Sequence, residues 1–437
     1  MTTRSTASSS TDLAGNGEPP AGRAQDRPAD PSRRDFFRAF GRQTLQGAGS
    51  VLRAADQLRR GSASAATELL GLGLRDPESS AARLEQRVVA SATPAETREL
   101  ARQGVTGDTV AAEAPRFRSP YLFNGSSIVM LDQREPPERG ATVECREASE
   151  VATAIAAGVV GGGPVLAQVA AYALVLAAGA SAGRLRPARR AAFQAAANTL
   201  RGARPPAHAV AWAVQRMATR WQDSVDIEPA QALVALREEA DAIATESATD
   251  HALLGRHGAD LLSQPPDRPL SLLAHGDMGP LAGGLVGTGF AVVQSIASAG
   301  REVHVWLTEA APGGEGRRIA AAELAQADIP HTVIPDTAVA WLLAEQPVDA
   351  ALLRPDHACA NGDTAALLGA HNVAGLAHAA GIPLYACGPT LVIDTDLPDG
   401  QAIPRSRDRP EVDVVPWGLI TAYITERGAL RLPLEPA

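Results

Sequence analysis

Residues 269–307 read PLSLLAHGDMGPLAGGLVGTGFAVVQSIASAGREVHVWL: an apolar run, a glycine-rich turn, a helical stretch and a second apolar run. Residues 270–274 and 302–307 have the length of buried strands, whereas residues 287–299 have the length and period of a helix. A strand, a helix and another strand in this order make the repeating unit of a parallel sheet. The stretch therefore predicts a doubly wound α/β fold.

The same alternation continues towards the C-terminus. Three more apolar runs have the length of strands, and three helical stretches separate or follow them. The runs are residues 331–334, 350–353 and 384–387, and the helical stretches are 317–326, 338–345 and 364–380. Ligands of such sheets bind at the carboxyl ends of the strands, so the residues just after each run are where we expect the functional groups.

The chain before residue 266 has a different texture. Residues 127–131 and 141–145 are β-like runs around a turn and predict a small sheet, while the alanine-rich part up to residue 258 predicts four or five helices. We therefore expect a mixed α/β protein. A helical N-terminal domain with a small β-subdomain (121–265) would precede a Rossmann-like parallel-sheet domain (266–437).

The first 120 residues fit neither domain. Residues 1–35 are mostly Ser, Thr, Gly, Pro, Arg and Asp, and predict a disordered tail because few large apolar groups are available to offset the entropy of ordering. Residues 36–120 predict a helical extension of unknown role. Phe36, Phe37 and Phe40 lie beside arginines and are expected to bury against a partner or the body of the protein.

Charge composition excludes several classes of protein. The 40 basic residues include no lysine, which excludes Schiff-base enzymes, Walker-type phosphate loops and protein kinases. The net charge is 40 − 49 = −9, so we predict no nucleic-acid partner.

Cysteine usage and hydropathy indicate the compartment. The three cysteines lie far apart without CxxC spacing, which predicts neither a disulfide framework nor a structural zinc site and fits a reducing cytoplasm. No charge-free apolar run of eighteen residues is present, so we predict no membrane span and a cytoplasmic protein.

Two candidate sites follow strands of the predicted sheet. After the first strand, the turn that includes Gly276 and Asp277 and ends at Gly287, Thr288 and Gly289 could present backbone N–H groups to a phosphate, although such glycines are as often structural. After the fourth strand, Asp356 is expected at the carboxyl end. Residues 361–363, with Asn361 and Gly362, are expected to turn the chain and cap the next helix.

Several short motifs together resemble one family. They are Leu-Asp-Gln-Arg at 131–134, Asp-His-Ala-Cys-Ala-Asn-Gly-Asp at 356–363, Gly-Ile-Pro-Leu-Tyr at 381–385 and Leu-Pro-Asp-Gly at 397–400. They resemble the methylthioribose-1-phosphate isomerases and their relatives, the ribose-1,5-bisphosphate isomerases and the regulatory subunits of translation initiation factor 2B. The resemblance covers about residues 121–430 and favours the isomerase branch.

The resemblance implies an aldose–ketose isomerisation of a sugar 1-phosphate, of the kind used in methionine salvage, in a dry cleft between the two domains. It assigns Asp356 to the catalytic aspartate and Gly162 and Gly163 to a loop on the substrate. It also implies a homodimer without cofactor or metal, and a small phosphorylated sugar or a nucleotide as the ligand. In contrast, Gly276 stands at the position of the family's catalytic cysteine and Leu367 at that of a phosphate-binding lysine.

Three functions therefore stay open. The first is a methylthioribose-1-phosphate isomerase, with turnover far below that of ordinary members because the thiol and several phosphate cations are missing. The second is a non-catalytic relative that binds a ligand or regulates a partner. The third is an enzyme for another substrate that uses Asp277 and Asp356 as an acid/base pair, one protonated through repulsion by the other.

Overall fold

A computed structural model describes residues 119–262, 265, 267–405, 411–431 and 433, all within one compact unit. The predicted tail, and the predicted helical extension up to residue 118, lie outside the described residues. No helix in the described part is both long and apolar enough to cross a membrane.

The small sheet predicted near the start of the described chain is present. It has three antiparallel strands, one more than expected: β1 (Tyr121–Phe123), β2 (Ile128–Leu131) and β3 (Thr142–Cys145). The chain leaves β2 through Asp132 and Gln133, both buried. This sheet thus delivers Leu131, Asp132 and Gln133 of the Leu-Asp-Gln-Arg motif to the interior, whereas Arg134 is exposed.

Five helices follow, as the alanine-rich sequence predicts. They are α1 (Ala148–Ala156), α2 (Val165–Ser181), α3 (Arg186–Ala203), α4 (His208–Ser224) and α5 (Pro229–Leu261). Nearly all of α2 is buried, which explains why its sequence is apolar on every face rather than amphipathic. At 33 residues, α5 is long enough to pack against both α2 and the seven-stranded parallel sheet.

The predicted parallel sheet has seven strands in the order β14-β13-β10-β7-β4-β5-β6, and only the edge strand β14 is antiparallel. The strands are β4 (Leu270–His275), β5 (Val303–Thr308), β6 (His331–Ile334), β7 (Ala350–Leu353), β10 (Leu384–Cys387), β13 (Ala422–Thr425) and β14 (Gly428–Leu430). The helices among them are α6 (Pro280–Gly283), α7 (Gly289–Ser298), α8 (Ala321–Gln326), α9 (Val339–Glu345) and α10 (Ala370–Ala379).

The strand order reverses between β4 and β7. From β4 the chain builds outward through β5 to β6, and it then returns to β7 and builds the other way through β10 to β13. Such a reversal opens a crevice at the carboxyl ends of the two central strands. Asp277 follows β4 and Asp356 follows β7, so both predicted catalytic residues come from this point.

A second sheet of four strands, β11-β8-β9-β12, corrects part of the prediction. Its strands are β8 (Pro355–Cys359), β9 (Thr364–Leu367), β11 (Ile393–Asp394) and β12 (Val412–Val415). The predicted helix over 364–380 was wrong for its first turns and begins only at Ala370. Residues 364–367 have helical propensity, but they pair with both β8 and β12, and this tertiary pairing overrides the local preference.

Two further details differ for the same reason. Residues 361–363 turn a β-hairpin between β8 and β9 instead of capping a helix, because the chain returns immediately to pair with β8. The residues after Pro416 form a short 3₁₀ turn and then β13 and β14, which add two strands to the five that were predicted for the main sheet.

Candidate functional site

The crevice between β4 and β7 contains a buried arginine between two aspartates. Arg354, only 3% exposed, donates through Nη2 to Asp277 Oδ1 at 2.9 Å and through Nε to the Asp277 carbonyl at 2.8 Å. Its Nη1 donates to Asp356 Oδ1. One guanidinium therefore joins the ends of the two central strands.

The cluster places a single cation between two carboxyl groups. Burial lowers the pKa of Arg354, but the charges and hydrogen bonds of Asp277 and Asp356 outweigh it and hold that pKa above its ordinary value. The guanidinium thus stays charged between the carboxylates. The sequence placed Asp277 and Asp356 together as candidates but did not indicate that a cation would lie between them.

The loop before α2 lies directly against this cluster. A Cβ on Gly162 would be 2.7 Å from Arg354 Nη2 and 2.9 Å from Asp356 Oδ1. A Cβ on Gly163, whose φ is +90°, would be 2.8 Å from Arg354 Nη1. Both positions need glycine because the loop backbone approaches charged side chains so closely. The structure therefore brings Gly162 and Gly163 together with both candidate aspartates.

Only one of the two carboxylate oxygens of Asp356 has a hydrogen-bond partner among the described residues. Its Oδ2 atom is buried and has no hydrogen-bond partner among the described residues, while Oδ1 accepts from Arg354. An unpartnered carboxylate oxygen in the interior costs free energy unless a ligand or water satisfies it. This atom is the part of the cluster best placed to exchange a proton with a bound molecule.

Gly276 has a backbone that disfavours any other residue. Its φ is +84°, and a Cβ there would lie 2.9 Å from Leu367 Cδ2 on the β8–β9 hairpin. The side chain of Leu367 thus covers the position of Gly276.

The glycine-rich turn is held largely by its own contacts. Thr288 and Phe290 both donate their amides to the Met278 carbonyl, at 2.8 and 3.2 Å, and a Cβ on Gly287 would lie 2.5 Å from that oxygen. A Cβ on Gly289 would be similarly close to the Met278 sulfur. These contacts favour the structural explanation of the glycines, but the buried Thr288 hydroxyl has no partner among the described residues.

Asn361 and Gly362 are engaged in the hairpin turn. Asn361 accepts from the Asp363 amide at 2.9 Å, and its Nδ2 donates to the Asp363 carboxylate. The Gly362 carbonyl accepts from Tyr423 Oη at 2.7 Å. Neither residue has a described hydrogen bond to the Arg354 cluster, so the structure does not connect them to it.

Sequence motifs gave no sign of a glutamate whose carboxyl group is buried behind the glycine-rich turn. Glu323 accepts from the Leu281 amide at 2.7 Å, and its Oε2 has no described partner. Burial raises the pKa of Glu323 to about 8, the Leu281 hydrogen bond opposes this and the charge of Asp277 adds to it. Burial and then Asp277 also raise the pKa of Glu315. Glu323 is therefore mostly protonated at neutral pH.

Gln133 of the Leu-Asp-Gln-Arg motif ties the two halves of the site together. Its Oε1 accepts from the Gly161 amide at 2.8 Å, and its Nε2 donates to the Leu281 carbonyl at 2.9 Å. One side chain thus links the loop before α2 to the glycine-rich turn after β4.

The three cysteines are all buried and lack the environment of a reactive thiol. Burial raises the pKa of Cys387 and of Cys359 to about 12, with nearby carboxylates adding to the effect at Cys359. Burial and nearby glutamates also raise the pKa of Cys145. His275 is structural, since its two ring nitrogens contact Thr308 Oγ1 at 2.8 Å and the Leu368 carbonyl at 3.0 Å.

A second group of titratable side chains lies one residue beyond Asp356. His357 Nε2 is 3.1 Å from Asp394 Oδ2, and His208 Nδ1 is 3.4 Å from the same oxygen. Within the described part of the chain, this is the group of histidine, cysteine and acidic side chains with the geometry to hold a metal ion. Spacing could not reveal it, because the three residues belong to α4, β8 and β11.

Comparison with known families gives one match. The model described as the initiation factor 2 subunit family matches residues 159–412, which include both candidate aspartates and all five strands of the predicted sheet.

Individual relatives agree with this match. The methylthioribose-1-phosphate isomerase of Syntrophotalea carbinolica is 33% identical over 333 residues, covering 71% of this chain and 96% of the relative. That of Chloroflexus aurantiacus is 34% identical, covering 71% and 94%. Among solved structures, the 5-methylthioribose 1-phosphate isomerase of Pyrococcus horikoshii has a TM-score of 0.64 at 28% identity, covering 73% and 94%. The delta subunit of translation initiation factor eIF-2B from A. fulgidus, at 23% identity and TM-score 0.60, shares the fold.

Proposed function

Because the chain belongs to the initiation factor 2 subunit family and is methylthioribose-1-phosphate isomerase-like over most of its length, we propose that its crevice isomerises a sugar 1-phosphate. The reaction would convert an aldose to the corresponding ketose, and methylthioribose 1-phosphate is the first substrate to test. The observation that carries the proposal is the buried, unpartnered Oδ2 of Asp356 at the carboxyl end of β7.

Asp356 has the role of the general base and acid. In a sugar 1-phosphate C1 is an acetal carbon, so a base removes the C2 proton while the bond between C1 and the ring oxygen breaks and that oxygen takes a proton. The resulting enol phosphate takes a proton at C1 and loses the proton of its C2 hydroxyl, which gives the open-chain ketose. A carboxylate can carry that proton on the oxygen that is not already bonded. Arg354 holds Oδ1, which leaves the unpartnered Oδ2 to accept the proton.

Arg354 and Asp277 position this base. Arg354 is hydrogen-bonded to the side chain and the carbonyl of Asp277, so its guanidinium is fixed before a ligand arrives. Preorganised groups of this kind cost no reorganisation at the moment of reaction. Asp277 remains the candidate for the second acid/base group, since the family's thiol position is Gly276.

Substrate binding is assigned to the surrounding loops. Gly162 and Gly163 would hold the loop backbone against the Arg354 cluster, next to the sugar. The hydroxyl of Thr288, at the N-terminus of α7, would donate to the phosphate with Gly287 and Gly289. Asn361 and Gly362 would act indirectly, by holding the hairpin. The crevice would then lie between two domains, 121–265 and 266–437.

The expected rate is low. A missing acid/base group costs about 10² to 10⁴-fold in rate, and each missing charge-assisted bond to phosphate forfeits ~1.5 to 3 kcal/mol. Purified full-length protein assayed with methylthioribose 1-phosphate should therefore turn over far more slowly than ordinary isomerases of the family. Asp356→Asn should abolish what remains.

Asp328→Asn provides a matched control. Asp328 is exposed and has a φ of +54°, a conformation that asparagine adopts readily, so this variant should keep the wild-type rate. Turnover that persists in Asp356→Asn would exclude Asp356 as the base. Rapid wild-type turnover that Asp356→Asn abolishes would show that another group has replaced the cysteine.

A second candidate function is ligand binding without catalysis. It is favoured by the way Leu367 covers Gly276 and by the pairing of both aspartates with Arg354. In that case sugar phosphates or nucleoside monophosphates should raise the melting temperature although no turnover occurs. A homodimer in the cytoplasm is proposed for either function.

A further inference from the structure

We propose that His208, His357 and Asp394 form a binding site for a divalent transition-metal ion, with Zn²⁺ as the ion of reference. The site is separate from the Arg354 cluster and does not depend on the isomerase proposal. Two imidazoles and one carboxylate are a ligand set that zinc and its neighbours in the first transition series accept.

The distances agree with a shared ion. The three ligand atoms lie within 4.8 Å of one another. Asp394 Oδ2 is 3.1 Å from the His357 nitrogen and 3.4 Å from the His208 nitrogen. Atoms bound to one tetrahedral zinc, each about 2.0–2.1 Å from it, are about 3.4 Å apart. The 3.4 Å separation at His208 is long for a direct hydrogen bond, whose usual range is about 2.7–3.2 Å.

The three residues lie in a helix and in two strands that pair with each other. His208 is the first residue of α4, His357 lies in β8, and Asp394 lies in β11, which pairs in parallel with β8. Asp394 Oδ1 accepts from the Asp396 amide at 2.9 Å, which fixes the carboxylate and leaves Oδ2 facing the histidines. The ligand atoms are therefore held in place before an ion binds.

Exposure allows a fourth ligand from solvent. The side chain of His357 is 5% exposed, whereas those of His208 and Asp394 are 18% and 19% exposed. Three protein ligands with one side open to water describe a four-coordinate site completed by a water molecule. The ion would connect α4 to the four-stranded sheet, next to Asp356 in the chain.

Mg²⁺ and Ca²⁺ fit poorly, because both prefer sites made wholly of oxygen ligands. All nine histidines and all three cysteines of the chain lie in the described part. Cys359 is the register partner of Asp394 but is not part of the group with metal-binding geometry. A competing site of soft ligands is therefore absent from the described residues.

The test uses full-length protein stripped with a chelator and then titrated with Zn²⁺ alone. Elemental analysis after gel filtration should find one zinc per chain, and zinc should raise the melting temperature. Co²⁺ should give the intense visible absorption of a four-coordinate site. His208→Ala and Asp394→Asn should each weaken zinc binding on the order of 100-fold, since even residues that only support a ligand account for 10- to 100-fold.

His378→Ala is the matched control, because His378 is exposed on α10 and should not change zinc affinity. His357→Ala removes a buried side chain and could unfold the protein, so the two more exposed ligands decide the test. Failure of the wild type to retain zinc would overturn the proposal, as would equal zinc binding by wild type, His208→Ala and Asp394→Asn. Isomerase assays are not needed, so the two proposals fail independently.

Discussion

At the scale of single residues, Arg354 is the group on which the candidate site depends. It follows β7 immediately and is the cation for two aspartates, one of them 77 residues away in the chain. A buried ion cluster is weak evidence for stability as a whole, but removing one of its members leaves charges unpaired in the interior.

We therefore expect Arg354→Met to lower the free energy of unfolding by about 3–5 kcal/mol in urea denaturation. Arg139→Met is the control: Arg139 pairs with Glu135 but is 69% exposed, so its loss should cost less than about 1 kcal/mol. Adding Asp277→Asn and Asp356→Asn to Arg354→Met should recover part of the loss. A cost below 1 kcal/mol for Arg354→Met would show that the cluster is hydrated.

Glu323 predicts a pH dependence of stability. Its pKa is about 8 in the folded protein against 4.5 ordinarily, so the folded state keeps a proton that the unfolded chain releases. Below pH 4.5 the carboxyl is protonated in both the folded and the unfolded state, so its burial does not reduce stability. As the pH rises from 4.5 towards 8, the unfolded chain ionises more readily than the folded protein, so the free energy of unfolding falls. The unfolding free energy changes by at most about 1.4 kcal/mol per pH unit through this one group.

Glu323→Gln keeps the acceptor for the Leu281 amide but removes the titration. The difference in unfolding free energy between variant and wild type should grow in favour of the variant from pH 5 to 8 and then level off. Glu345→Gln, at an exposed position, should show no such trend. A constant difference between wild type and Glu323→Gln across this range would contradict the raised pKa.

At the scale of elements, the β8–β9 hairpin limits which side chains fit in the turn that follows β4. It places Leu367 over Gly276, and Asp363 ties the hairpin to its surroundings by accepting from the amides of Gly400 and Trp417 at 3.1 Å each. A cysteine introduced at Gly276 would therefore meet both a packing and a backbone obstacle.

Gly276→Cys should not restore rapid isomerisation. A non-glycine residue at a φ of +84° costs about 1–3 kcal/mol, and its Cβ would displace the Leu367 side chain. We expect lower stability and no gain in turnover relative to Gly276→Ala, which has the same backbone strain without a thiol. If Gly276→Cys turned over at least tenfold faster than Gly276→Ala, the thiol would have reached the substrate in spite of the hairpin.

At the scale of the whole molecule, the prediction for the first 120 residues stays untested. Deleting residues 1–31 should leave the melting temperature unchanged, because this segment offers few large apolar groups to bury. Deleting residues 1–75 should reduce solubility, measured by light scattering, if Phe36, Phe37 and Phe40 cover apolar surface. Protease resistance across residues 1–31 would contradict the first expectation.

The sequence by itself determined the five parallel strands, the helices before them and the location of Asp277 and Asp356 at strand ends. These features follow from local periodicity, because burial on one or both faces leaves a pattern within a single element. Local propensity failed at residues 364–367, where pairing with two strands overrode it.

Only the tertiary structure decided that Arg354 lies between the two aspartates, that Leu367 covers Gly276 and that His208 meets His357 and Asp394. Each of these contacts joins elements far apart in the chain, and its existence depends on strand order, on the hairpin that replaced a predicted helix and on where α4 begins. No periodicity within one element records such a meeting, so the chemistry of both proposed sites became apparent only from the folded chain.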